Sequence, residues 1–145
     1  MRSGSAADPW ATPTGTGPGG IAPSVAVEFD TYPNSYGIND NHVAILTNGQ
    51  MIDLDPQTPY GITSCGLPGM FGCMSNGDTW SVWIDYDGTN LNVALADDST
   101  TRPANLISYP IDIGSILGHN SVFVGFTEPP AMLTRTITCS TSGSA

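Results

Sequence analysis

At 145 residues the chain fits one domain with a sizeable core, and with no lysine, two glutamates, 17 glycines and 12 prolines, nothing in it sustains a long helix. Thirteen acids against three arginines give a net charge of −10, which repels a phosphate backbone or an anionic membrane surface and suits a hard cation. No apolar run approaches the roughly 20 residues of a membrane-spanning helix.

The first seven residues, Met1 to Ala7, lack the apolar stretch of a signal peptide. Residues 1–23 are rich in Gly, Pro, Thr and Ala without periodicity and read as an irregular lead-in. From Ser24 the pattern changes. Val25, Val27 and Phe29 alternate with Ala26, Glu28 and Asp30, the signature of a strand with one apolar face. A loop over Pro33 to Asn41 leads to a second strand, His42 to Leu46. Asn48-Gly49 is a hairpin turn before Met51 to Leu54.

A turn-rich stretch follows, in which Cys65 and Cys73 bracket Gly66 to Gly72 and can close a short disulfide loop. The pairing points to an oxidising compartment and leaves Cys139 free, while the spacing and the lack of a nearby His argue against zinc. Thr79 to Tyr86, the turn Asp87-Gly88-Thr89 and Asn90 to Leu95 form the clearest hairpin, with further strands over Leu106 to Ile113 and Ser121 to Thr127. Short, regularly spaced strands indicate an all-β sandwich. Trp80, Trp83 and Phe123 read as core or sheet-face residues, and His119 as an exposed turn residue.

The chemistry concentrates in one stretch. Glu28, Asp30, Asn34, Asp40 and His42 fall within fifteen positions, and Glu28 and Asp30, two apart on a strand, leave the same face. Two carboxylates, an amide oxygen and an imidazole can converge on divalent cations, with calcium on the oxygen-rich positions and manganese or a similar ion where the His joins. The plain alternative is that the acids solvate a strand end while Asn34 and Asp40 make turns.

The string Val27 to Asn34, followed by Asp40-Asn41-His42-Val43, resembles the metal loop of the legume-type lectins, and is closest to the bacterial members. Trp80 to Thr89, Tyr109 to Ile113 and Phe123 to Thr127 follow that family in the same order, over roughly 105 residues. The resemblance implies a concanavalin-like jelly-roll β-sandwich, incomplete here, with residues 24–127 a partial lectin domain and 128–145 an atypical tail. It implies a non-catalytic, secreted sugar-binding module with Ca2+ and Mn2+ (or a similar transition metal) as structural cofactors. Glu28, Asp30 and His42 stand where the family has its transition-metal ligands. Asp30, Asn34 and the carbonyl of Tyr32 match the calcium ligands, with Asp40 a substitute ligand. Asn34 would bond sugar hydroxyls and Tyr36 would stack on the sugar.

Two departures qualify this. The family has an Asp shared by both metals five residues before the His, where this chain has Gly37, and Asp40 or Asn39 would have to compensate. The family domain is also longer, and its early strands supply an Asp to the sugar that nothing here matches. The ends depart as well: read one nucleotide out of register, permitted codons for Glu128 to Ser142 and for residues 1–17 spell family-like sequence, which implies a frame kept only from about Gly19 to Thr127.

Glycans are therefore the expected partners, with homo-oligomers through open sheet edges also expected. A sandwich glycosidase needs a second carboxylate near Glu28, but Pro33 stands where it would be, and the only other glutamate is Glu128. A structural remnant of a lectin is the other alternative.

Overall fold

The computed structural model describes residues 22–33, 38–66, 69–119 and 121–126, apart from the side chains of Met51 and Ile52. Six strands form two antiparallel three-stranded sheets: β1 (Val25–Asp30), β2 (His42–Thr47) and β3 (Gln50–Gln57) in one, β4 (Trp80–Tyr86), β5 (Asn90–Asp97) and β6 (Ile107–Pro110) in the other. Both are meanders, each central strand lying between its chain neighbours. The expected β-sandwich is present.

Alternation sets the faces. Val25, Val27 and Phe29 of β1 stand opposite Thr47, Ile45 and Val43 of β2, so these apolar side chains share one side of the sheet. They pack on Leu91, Val93 and Leu95 of β5 and Ile107 of β6, and this contact between sheets is the core. Strand β2 is covered on both faces: His42 to Leu46 are all buried.

Turn chemistry fixes the hairpins. Asn48 and Gly49 both take positive φ, 54° and 67°, as a tight two-residue turn requires. At the other hairpin the Asp87 carboxylate accepts from the amides of Thr89 and Asn90, which holds its pKa below the usual carboxylate range.

Three sequence expectations need correction. The strand expected over Leu106 to Ile113 stops at Pro110, and Ile113–Leu117 form a short helix α1. Asp112 caps it by accepting from the Ser115 amide at 2.8 Å, and Gly118 ends it at φ 68°. Residues 121–126 are all exposed and make no strand. Phe123 is thus not a core residue, whereas Trp80 and Trp83 are half-buried on opposite faces of β4. Residues 1–21 of the lead-in, Thr127 and the whole tail 128–145, with Cys139, lie outside the described residues. Val82, Ile84 and Tyr86 share the core side with Leu95, Val93 and Leu91, yet stay 39–46% exposed. Among the described residues, the opposite sheet covers this face of β4 only in part.

Asp97, at the end of β5, is half-buried. Its Oδ2 accepts from Asn76 while Oδ1 is buried without a partner. Burial, with the Asp78 and Asp98 charges adding to it, raises its pKa. The folded state therefore holds this proton more tightly than the unfolded chain, and stability is lost as pH rises above about 3.8. Asp97→Asn removes the titration: the variant's melting temperature, relative to the native chain, should climb from about pH 3 to about pH 7. A flat difference would show that the carboxyl is not strained.

Candidate functional site

The register of the first sheet assembles the site on the face away from the core. Asp30 is paired with His42, and Glu28 with Ala44, so Glu28, Asp30 and His42 project from the same side. Strand β3 brings a third group. Leu54 pairs with Ile45 on the core side, which turns its neighbour Asp53 toward His42. One ligand atom from each of Glu28, His42 and Asp53 lies within 4.8 Å of the others. Asp53 was not among the residues singled out from the sequence. Counting the ladder outward from the Asn48-Gly49 turn would have found it, because an unbroken register places Asp53 beside Ala44 and hence beside Glu28.

The imidazole of His42 is fully buried. Its Nδ1 lies 3.1 Å from the Asn39 carbonyl oxygen. A carbonyl only accepts, so Nδ1 carries the hydrogen, and in the neutral ring Nε2 then presents its lone pair. Nε2 has no hydrogen-bond partner, and Asp53 Oδ2 lies 3.5 Å from it. A lone pair facing carboxylates in a water-poor site is repulsive unless a cation or a proton sits among them. A backbone carbonyl orienting the far ring nitrogen is also the usual support of a metal-bound histidine.

The remaining expected ligands are placed differently. Asp30 is buried, and its Oδ1 accepts from the Tyr32 amide at 2.8 Å. Tyr32 is exposed, on the loop that leaves β1. Asp40 is outside the Glu28–His42–Asp53 group: its Oδ1 accepts from Ser64 Oγ at 2.7 Å and from the Cys65 amide at 2.8 Å. These two donors hold its carboxyl below the ordinary range. Asn34, Tyr36 and Gly37 lie outside the described residues.

Asp40 and the buried Asn41 tie the β1–β2 loop to the segment that follows β3. Asn41 donates to the Ile62 carbonyl and accepts from the Met74 amide, both at 3.1 Å. That segment is closed by the expected disulfide, Cys65–Cys73. One end of the sandwich thus carries the acidic loop, the disulfide loop and the loop after β5.

The sequence comparison agrees with this architecture. The legume lectin domain matches residues 18–134. The chain belongs to that family. It is 32% identical over 118 residues to a probable L-type lectin-domain containing receptor kinase VII.2 of Arabidopsis thaliana, covering 76% of this chain and 16% of the relative. The L-type lectin-domain containing receptor kinase I.7 of the same plant is 36% identical, with 71% of this chain and 16% of the relative covered. Receptor kinase S.1 is 40% identical over a shorter stretch, 57% of this chain and 13% of its own. The chain therefore spans about a sixth of the length of these relatives.

Removing the Asn41 amide would leave the Ile62 carbonyl and the Met74 amide without their side-chain partner. Asn41→Ala should cost about 2–4 kcal/mol, at roughly 1–2 kcal/mol per orphaned group, read as a lower denaturation midpoint. A loss under about 0.5 kcal/mol would show that the two loops do not depend on each other.

Proposed function

We propose that the chain is a non-catalytic carbohydrate-binding lectin module whose sugar loop is held by divalent metal. Membership of the legume lectin family, which is generally metal-dependent, supports the sugar-binding part. One observation carries the metal: the buried Nε2 of His42, without a hydrogen-bond partner, beside the carboxylates of Glu28 and Asp53. Two carboxylates and an imidazole suit a manganese-like ion. Asp53 supplies a second carboxylate in a chain where Gly37 stands at the family's bridging position.

When bound, the metals supply a fixed positive centre that stiffens the β1–β2 loop. Asp30, the Tyr32 carbonyl and Asn34 are the proposed calcium ligands, with Asp40 anchoring the loop from behind through Ser64 and Cys65. Asn34 then bonds sugar hydroxyls and Tyr36 packs on the apolar face of the ring. An extracellular setting and the bacterial affinity read from the sequence belong to the same proposal; the disulfide fits the former. Pairing of copies through sheet edges is supported by β1, β3, β4 and β6, each flanked on one side only among the described strands.

A glycan array with Ca2+ and Mn2+, repeated with chelator, tests this reading. Chelator should abolish binding, and Glu28→Gln or Asp53→Asn should weaken it about tenfold or more, as loss of a supporting carboxylate does. Binding indifferent to chelator would contradict the metal, and release of reducing ends from a glycan would contradict the non-catalytic assignment.

A further inference from the structure

The segment between β3 and β4 presents aromatic side chains that neither the core nor the acidic group uses. Tyr60 is 58% exposed and Phe71 79% exposed, and their rings lie 6.1 Å apart between centroids at an interplanar angle of 19°. Trp80 of β4, half-buried against the core, continues the row, its ring 6.0 Å from that of Tyr60 and tilted by 46°. Exposed aromatics so grouped are costly in water and call for an explanation.

The loop is shaped to hold them there. Tyr60 sits at φ 52°, ψ 20°, in the left-handed region where a bulky residue is strained. Gly72, at φ 83°, lets the backbone lie against it: a Cβ there would come within 2.8 Å of Ile62 Cδ1 and 3.2 Å of Tyr60 Cδ2. The adjacent Cys73 is covalently fixed to Cys65. Trp80 is anchored from below, Nε1 donating to Asn76 Oδ1 at 3.2 Å.

Beside Tyr60 and Trp80 lies a hollow of about 200 Å³, walled also by Pro59, Leu95, Pro103 and Asn105. Complete ligand pockets run to about 300–1,000 Å³. This one accepts a single ring or its edge. Its rim is polar: Asn105 is held by Arg102 and Asn92, and the Tyr60 hydroxyl takes a long contact from the Asp97 amide, leaving its own proton to donate. A broader depression of about 390 Å³, at Gly88, Thr89 and Pro110 to Asp112, has no aromatic wall and sits at the opposite end of β4 and β5.

We propose that Tyr60, Phe71 and Trp80 form a second sugar subsite, which takes the apolar face of an equatorially substituted hexopyranose in an extended glycan. Such a ring directs its hydroxyls outward around the rim and its axial C–H bonds at both faces. An aromatic row with a polar border matches that pattern, and a charged or fully apolar ligand does not. The row lies at the same end of the sandwich as the acidic loop, to which its segment is tied through Asn41 and Asp40. A chain of several sugar units can engage both. The inference rests on the lectin reading above but uses different residues.

The test is titration of the whole chain with cellohexaose, followed by tryptophan fluorescence, alongside the glycan array. Cellohexaose should shift the emission and bind saturably. Tyr60→Ala and Phe71→Ala should each weaken it about tenfold, a change of roughly 1.4 kcal/mol. Tyr60→Phe, which keeps the ring, should weaken it only about twofold. Melting curves check that the variants fold. Array binding to other glycans with no response to cellohexaose would overturn the subsite and leave the lectin reading standing, as would cellohexaose binding untouched by either alanine variant. Silence on the array with ring-dependent cellohexaose binding would overturn the metal-loop reading and keep the subsite. Silence in both overturns both.

Discussion

Strand β2 carries His42 to a place that water does not reach, and the two ring nitrogens meet opposite surroundings there. Nδ1 is satisfied by the Asn39 carbonyl, while Nε2 has no hydrogen-bond partner beside Asp53 and Glu28. The cost of that arrangement is large in a buried site and small once positive charge sits among the three groups. The sheet that creates the arrangement is well determined: five apolar side chains of β1 and β2 face the core, and their alternation leaves Glu28 and His42 nowhere to point but the other face. Core packing and site geometry are two consequences of one register. A one-residue slip would exchange them.

Much of this was legible in the residues. Strands β1, β2, β4 and β5 start and stop within about two residues of where alternation puts them. The Asn48-Gly49 hairpin and the Cys65–Cys73 bridge were legible too. The differences have local causes. Strand β3 was expected to end at Leu54, but it runs to Gln57 through Pro56, since an edge strand tolerates a missing N–H; Asp55 at φ 49° absorbs the irregular register. Helix α1 is five residues long, too short for a helical period to register, although Asp112 and Gly118 are its two caps.

For the site, Glu28 and His42 were visible because they stand in one compact string. Asp53 was not, because its proximity is a matter of cross-strand register and not of spacing along the chain. Asp40 illustrates the converse. Its place near the string suggested a ligand, and in the fold its Oδ1 accepts from Ser64 and Cys65, more than twenty residues away in sequence. Short motifs identify a family more readily than they identify which oxygen faces which partner. The disulfide segment held by Asp40 and Asn41 in turn presents Tyr60 and Phe71, so the acidic loop and the aromatic row share one support.

The proposed metal ion among Glu28, His42 and Asp53 can be located in a crystal. Anomalous scattering from crystals grown with Mn2+, recorded on either side of the manganese edge, addresses it most directly. A single strong peak is expected within bonding distance of His42 Nε2 and of both carboxylates. A map without that peak, with His42 Nε2 instead protonated and hydrogen-bonded to Asp53, would contradict it.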